Sequence, residues 1–155
     1  MSYGTDQEFE AIARAIAHVA HAGQVDKANQ PYIEHPAAVV GIIGYNGFQT
    51  RARIVGWLHD VVEDSSVTLQ ILREIGFSEE VLEAVRCITH LPNEPRPEYY
   101  QRVNSNYLAK QVKIADIADN MNEYRLGMLD PKEANRLRLK YADALEALSM
   151  KVGEL

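Results

Sequence analysis

The chain has 155 residues, 46% of them hydrophobic and 25% charged, which suits one globular domain with a core of its own. The formal net charge of −6 argues against non-specific binding to nucleic acid or to an anionic membrane surface, and the single cysteine, Cys87, excludes an internal disulfide framework and a cysteine-rich zinc site. No apolar run is long enough to span a membrane, and residues 1–10 lack the apolar run of a signal peptide, so we expect a cytoplasmic protein.

Apolar residues recur at helical spacing along the chain, beginning with Phe9, Ile12, Ile16 and Val19. The predicted helices cover 9–22, a segment from about 35 to 45, a segment from 50 through 64, 69–75, 79–88, 107–124 and a segment from 131 onward. Between them, the three prolines of residues 91–97 predict a loop, and 99–103 predict a helical turn.

Polar capping residues and glycines set the predicted helix boundaries. The predicted N-caps are Asp6, Thr50, Thr68 and Ser78. The predicted stops are Gly23, residues 45–47 and Gly76. No run alternates as a strand would, and Asn46-Gly47 follows a helical pattern instead of joining two β-rich runs. We therefore predict an all-α fold in which residues 1–155 form a single compact bundle of about seven to eight helices.

One stretch of the third predicted helix carries polar residues where its neighbours favour burial. His59 and Asp60 interrupt an apolar run that starts at Ile54, and Glu63 and Asp64 interrupt it again. Spacing of four on a continuous helix would place His59 below Glu63 and Asp60 below Asp64. Because a buried carboxylate is costly unless it is paired or binds a metal, this pattern predicts a site for Mn²⁺, Fe²⁺, Zn²⁺ or Mg²⁺. The alternative is a helix end whose polar groups lie in water.

Two further groups elsewhere in the chain could complete such a site. His35 lies at the start of the second predicted helix, and Asp116 is a polar residue in an apolar stretch, with Asn120 one helical turn beyond it. A lone histidine or aspartate of this kind is more often structural than a ligand, so both interpretations stay open on these residues alone. The other three histidines are not expected to be ligands.

Four motifs taken together resemble a known family. They are His21-Ala22-Gly23-Gln24, Pro31-Tyr32-Ile33-Glu34-His35-Pro36, Leu58-His59-Asp60-Val61-Val62-Glu63-Asp64 and Val112-Lys113-Ile114-Ala115-Asp116. Their order resembles the HD superfamily of metal-dependent phosphohydrolases, and most closely the hydrolase domain of RelA/SpoT-type alarmone enzymes. The stand-alone small alarmone hydrolases, which include the metazoan SpoT homologue, are the most similar forms. The match covers about the first four-fifths of the chain.

The resemblance implies an all-helical HD domain that hydrolyses the 3′-pyrophosphate of (p)ppGpp with one divalent metal ion, usually Mn²⁺. The implied metal ligands are His35, His59, Asp60 and Asp116. The pair implied to position and activate the attacking water is Glu63 and Asp64. The residues implied to surround the nucleotide are Lys27, Tyr32, Lys113 and Asn120. The expected partner is a small nucleotide substrate, without nucleic acid or membrane, and a homodimer is left open.

The chain departs from the family pattern at two positions. The family usually has an arginine before the lysine that matches Lys27, and this chain has Asp26 there. An arginine that often follows the residue matching Asn120 is replaced by Asn122, with Arg125 further along. The resemblance therefore implies the family's phosphate chemistry for this chain more strongly than it implies the family's preference for guanine. Two other classes stay open: an HD nucleotidase acting on a different nucleotide, and a non-catalytic nucleotide-binding protein, for which a water-activating acid pair would be unnecessary.

Overall fold

A computed structural model describes residues 4–45, 49–150 and 152–155. These residues form ten α-helices and a final 3₁₀ turn. The helices are α1 (Asp6–Ala20), α2 (Glu34–Tyr45), α3 (Thr50–Leu58), α4 (Val61–Asp64), α5 (Leu69–Ile75), α6 (Glu79–Ile88), α7 (Arg96–Asn104), α8 (Tyr107–Asn120), α9 (Glu123–Leu126) and α10 (Pro131–Ala147). The predicted all-α class is confirmed. In the described ranges, the one β-type pairing is an isolated bridge between Val25 and Pro31.

Most predicted helix boundaries agree with the structure. The hydroxyls of Thr68 and Ser78 cap α5 and α6, and Gly76 ends α5 in the left-handed conformation, with φ of 112°. The predicted N-cap Asp6 is wrong, because Thr5 caps α1 in a reciprocal capping box with Glu8. Thr50 is the first residue of α3 and not its cap. Of the predicted stop at residues 45–47, Tyr45 is the last residue of α2, and Asn46 and Gly47 lie outside the described residues.

Two helices that the sequence predicts as continuous are each broken in two, which raises the helix count. The third predicted helix stops at Leu58 and resumes at Val61. At the break, Asp60 departs from helical backbone values, with φ of −107° and ψ of −4°, and the Nδ1 of His59 lies 2.6 Å from the Gly56 carbonyl oxygen. The prediction that His59 and Glu63 share one face of a continuous helix is therefore wrong.

The second break separates α8 from α9. Here the Asn122 side chain accepts a hydrogen bond from the Tyr124 backbone N–H and starts a new short helix. A smaller correction concerns the predicted helical turn at 99–103, which is the nine-residue helix α7 with Pro97 in its first turn.

The core is organised around α3, which packs against α1, α2 and α8. All α3 positions from Ala52 to Leu58 except Arg53 are almost fully buried. Gly56 lies so close to α2 that an added Cβ would meet Val40 and Ile43 at 3.1 and 3.2 Å. This close approach brings the start of α2 next to the end of α3. No helix among the described residues combines the length and apolar character needed to cross a membrane.

Candidate metal centre and active-site cavity

Polar side chains from three helices meet where α2 begins and α3 ends. His35 lies in the first turn of α2, His59 and Asp60 form the break between α3 and α4, and Asp116 lies on α8. All but Asp60 are almost fully buried. The close packing of α2 and α8 against α3 therefore brings together residues that are as many as 81 positions apart in the sequence.

The four predicted ligands converge at short distances. The Nε2 atoms of His35 and His59 are 3.3 Å apart, and His59 Nε2 lies 3.0 Å from Asp60 Oδ2. Asp116 Oδ1 lies 2.9 Å from His35 Nε2 and 3.6 Å from His59 Nε2. His35, His59 and Asp60 each offer one ligand atom within 4.8 Å of the others, so this group could hold a metal ion.

The hydrogen bonds behind the two imidazoles test whether a cation fits. His59 Nδ1 faces the Gly56 carbonyl oxygen, and His35 Nδ1 faces a carboxylate oxygen of Asp119 at 2.6 Å. Both partners can only accept, so each Nδ1 carries the hydrogen. In the neutral rings, both Nε2 atoms then present lone pairs towards each other and towards two carboxylates. A divalent cation satisfies such a set of facing lone pairs, and histidine ligands of metals are commonly held in this way.

The charges of the cluster are strongly coupled. Burial disfavours a charged His35, but its hydrogen bonds to Asp116 and Asp119 prevail and raise its pKa. Burial likewise opposes charge on His59, yet the neighbouring acids raise its pKa well above the usual value. Burial would raise the pKa of Asp60, but the charge of His59 holds it below its ordinary range. The group thus stabilises positive charge at its centre, whether that charge is a proton or a metal ion.

Three of the four residues predicted to surround a nucleotide contact Asp60 or Asp116, the two acids among the predicted metal ligands. Lys113 Nζ donates to Asp116 Oδ2 at 2.8 Å, and Asn120 Nδ2 donates to Asp116 Oδ1 at 2.9 Å. Against the cost of burial, the charge of Lys113 lowers the pKa of Asp116 well below its usual value. Tyr32 Oη donates to Asp60 Oδ2 at 2.5 Å. The fourth, Lys27, is exposed and pairs with Glu133 at 2.5 Å.

The two acids after the break face different partners. Glu63 lines a cavity that the four predicted ligands, here called the ligand cluster, also line. Its Oε1 accepts the backbone N–H of His90 at 2.5 Å. Asp64 accepts from Gln24 Nε2 at 3.2 Å and is not among the residues that line the cavity. Desolvation raises the pKa of both carboxyls, and the charge of Asp60 adds to the shift in each case. Of these two acids, Glu63 is therefore the one that a molecule in the cavity could contact.

The ligand cluster forms one wall of a cavity of about 440 Å³. Its other walls contain cations and tyrosines, none of which was assigned to the predicted site. These include Arg96, Arg125, Lys140, Tyr99, Tyr100 and Tyr141. Burial, followed by the nearby charge of Arg96 and other cations, lowers the pKa of Lys140. The common location of those on α7 and α10 depends on how these two helices pack against α8, which the sequence pattern does not specify.

Comparisons with known proteins agree with this geometry. No protein-family profile matches the chain. It is 30% identical over 154 residues to a probable guanosine-3′,5′-bis(diphosphate) 3′-pyrophosphohydrolase of Synechocystis, a match that covers 92% of this chain and 20% of that protein. It is 27% identical over 152 residues to the bifunctional (p)ppGpp synthase/hydrolase SpoT of Escherichia coli, covering 91% and 21%. The chain is a relative of the RelA/SpoT-type proteins. It spans about one fifth of the length of these curated relatives.

The fold of this RelA/SpoT relative also has a counterpart among solved structures. A metazoan orthologue of SpoT, described as hydrolysing ppGpp, superposes with a TM-score of 0.77. The two sequences are 20% identical, and the match covers 96% of this chain and 88% of the other. At that identity the likeness establishes the shared all-helical fold.

Proposed function

We propose that this chain is a metal-dependent nucleotide phosphohydrolase that removes the 3′-pyrophosphate of (p)ppGpp or a closely related nucleotide. The observation that carries the proposal is the convergence of His35, His59, Asp60 and Asp116 beside a cavity that Glu63 also lines. Metal-assisted hydrolysis requires metal ligands, here two imidazoles and two carboxylates, and a nearby acid that can act as a base. Relatives named as guanosine-3′,5′-bis(diphosphate) 3′-pyrophosphohydrolases support the choice of substrate.

The proposed cofactor is one divalent metal ion, with Mn²⁺ favoured over Mg²⁺, Fe²⁺ and Zn²⁺. Mixed imidazole and carboxylate donors suit these ions. When bound, the ion would supply a Lewis acid for a phosphate oxygen and a lowered pKa for a coordinated water. The proposed holders are the Nε2 atoms of His35 and His59 and the carboxylates of Asp60 and Asp116, for which the short distances among these atoms are the support.

Glu63 is proposed to take the proton of the attacking water. Its Oε1 is fixed by the His90 N–H, and the raised pKa of the carboxyl makes it a better base than an ordinary glutamate. Asp64 is proposed to assist from one position further along, held by Gln24. In the proposed reaction the water oxygen bonds to the phosphorus attached to the 3′ oxygen while the bond between that phosphorus and the 3′ oxygen breaks. The water oxygen becomes part of the released pyrophosphate, and the 3′ oxygen gains a proton as the 3′ hydroxyl.

Lys27, Tyr32, Lys113 and Asn120 are proposed to contact the nucleotide, and all four line the cavity. Since Lys113 and Asn120 already bond Asp116, they couple substrate contacts to the position of a metal ligand. Arg96 and Lys140 bring further positive charge to a cavity in a chain whose formal net charge is −6. Cations in the cavity wall of an otherwise acidic chain would attract a substrate with several phosphate groups.

A second candidate is an HD nucleotidase with a different base preference. Asp26 favours it, because this residue replaces the arginine of the family pattern and its Oδ2 pairs with Arg125 at 2.6 Å. A non-catalytic nucleotide-binding protein is less well supported, since Glu63 is retained in the cavity wall. A single domain, a cytoplasmic location and a homodimer stay predictions from the sequence.

The test is product chromatography of a nucleotide panel incubated with purified protein and Mn²⁺. We expect pyrophosphate from ppGpp, whereas a nucleotidase would release phosphate from another member of the panel. Glu63→Gln should abolish turnover with Mn²⁺ binding retained. Glu83→Gln is the matched control, because Glu83 is exposed, pairs with Arg86 and is not among the residues that line the cavity. Full activity in Glu63→Gln would remove Glu63 from its role.

A further inference from the structure

Two carboxylates one helical turn apart on α8 hold the two nitrogens of a single imidazole. Asp116 Oδ1 lies 2.9 Å from His35 Nε2, and Asp119 Oδ2 lies 2.6 Å from His35 Nδ1. All three side chains are at most 7% exposed. Asp116 contacts the side of the ring that faces the ligand cluster, so Asp119 is the group that holds the ring from behind.

Asp119 is itself fixed by a chain of charged groups. Arg125 Nη1 donates to the same Asp119 Oδ2 at 2.8 Å, and Arg125 Nη2 donates to Asp26 Oδ2 at 2.6 Å. The other oxygen of Asp26 accepts the backbone N–H groups of Ala28 and Gln30, at 2.8 and 2.9 Å. The network therefore runs from the backbone of the loop before α2, through a guanidinium, to the buried ring of His35.

This network decides which nitrogen of His35 bears the hydrogen. An oxygen of Asp119 that already accepts from a guanidinium can only accept from the imidazole as well. His35 Nδ1 must then donate. Asp116 Oδ1 already accepts from Asn120 and can only accept from Nε2 as well, so Nε2 presents a lone pair once a divalent cation takes the place of its hydrogen. Nε2 is the atom that lies 3.3 Å from His59 Nε2 and beside Asp116.

We propose that Asp119, held by Arg125 and Asp26, is a positioning residue that fixes the ring and tautomer of His35 and so presents Nε2 to a divalent cation. The inference rests on the metal site of the proposed function and adds a role for three residues outside the predicted ligand set. Partners behind a histidine ligand commonly change metal affinity by about 10- to 100-fold when they are removed.

The first test is calorimetric titration of the whole chain with Mn²⁺. Asp119→Asn keeps the size of the side chain but supplies an amide that can donate to Nδ1, and we expect its Mn²⁺ dissociation constant to rise by about 10- to 100-fold. Arg125→Leu should weaken binding by a smaller factor, with partial recovery in Arg125→Lys. The matched control is Arg53→Leu, because Arg53 is equally exposed, at 24% against 25%, and pairs with Glu10 outside the cavity.

The second test reads the tautomer directly and needs no metal. Long-range ¹H–¹⁵N spectra of the metal-free protein, recorded at a pH where the ring is neutral and assigned with His35→Asn, should show the hydrogen on Nδ1. A hydrogen on Nε2 would overturn the inference even if Asp119→Asn failed to fold. Unchanged Mn²⁺ affinity in a folded Asp119→Asn would overturn the positioning role alone. Absence of Mn²⁺ binding by the wild type would overturn the proposed function as well.

Discussion

His35 and His59 point their Nε2 atoms at each other across 3.3 Å, although 24 residues separate them in the sequence. Each ring is held from behind by an acceptor, and each is at least 97% buried. Two neutral imidazoles arranged in this way would face each other with lone pairs and no hydrogen between them. A positive charge at that point removes the conflict, so the stability of the protein should depend on the ion supplied to it.

The first prediction is that Mn²⁺ stabilises the wild type and not His59→Ala. At a free Mn²⁺ concentration about 100 times the dissociation constant, binding adds about 2.7 kcal/mol, which raises the Tm of a chain of this size by roughly 5–10 °C. Differential scanning calorimetry with and without Mn²⁺ measures the shift. His18→Ala is the control, because His18 is exposed and bonds only the Arg14 carbonyl among the described residues. An equal shift in His59→Ala would contradict a metal site at this position.

The second prediction concerns the pH dependence of hydrolysis. Desolvation first, and then the charge of Asp60, raises the pKa of Glu63 above 4.5, whereas its bond from the His90 N–H opposes the shift. A general base acts in its unprotonated form, so kcat/KM should increase with pH through a midpoint above the ordinary glutamate value. The measurement is a pH–rate profile at saturating Mn²⁺ for each pH. If Glu63→Gln kept its activity and kcat/KM still increased with pH through the same midpoint, the titration would be that of a group other than Glu63.

Several features of this fold were predictable because their cause is local. Thr68, Gly76 and Ser78 set the ends of α5 and α6 through bonds to residues at most four positions away. The break at His59 was not predicted, because the apolar pattern of the segment continues on both sides of it.

The same distinction applies to the candidate site. His59, Asp60 and Asp116 are polar residues in apolar stretches, but it was the resemblance to the HD superfamily that joined them with His35 as an implied set of ligands. Asp119 is also buried and polar, but its partner His35 lies 84 positions away, and nothing local associates the two. Predicting the contact would require the packing of α2 against α8, which the sequence pattern alone does not specify.

The third prediction is that Lys113→Met destabilises the metal-free protein by about 3 kcal/mol, the low end for removing one partner of a buried ion pair, because Asp116 keeps its contacts with His35 and Asn120. Lys113 lies 2.8 Å from Asp116, and its Nζ also lies 5.5 Å from the centre of the Tyr99 ring. Urea denaturation measures the change, with Lys110→Met on the same helix as the control. Mn²⁺ should offset part of the loss, since it restores positive charge beside Asp116. A loss of equal size in Lys110→Met would mean that the effect is not specific to the pair.

The fourth prediction concerns the base of the nucleotide. Asp26 occupies the position where the family pattern has an arginine, and both of its oxygens are already bonded, one to the backbone of residues 28 and 30 and the other to Arg125. Arg125 in turn donates to Asp26 and Asp119. An enzyme discriminates between two bases by a factor of 10⁴ or more only when the wrong base leaves buried hydrogen-bonding groups of the protein unpaired. Asp26 and Arg125 already have their hydrogen-bond partners without a base, so they would not be left unpaired.

We therefore expect kcat/KM values for ppGpp and for its adenosine counterpart to agree within about tenfold, the range in which shape alone discriminates. Initial rates of pyrophosphate release from the two substrates, measured at equal Mn²⁺, give the ratio. Asp26→Ala removes the partner of the guanidinium and frees Arg125 to contact a base, so in this variant the ratio should move away from unity. A wild-type preference for guanosine of more than 100-fold would contradict the prediction, and it would mean that groups elsewhere in the cavity recognise the base.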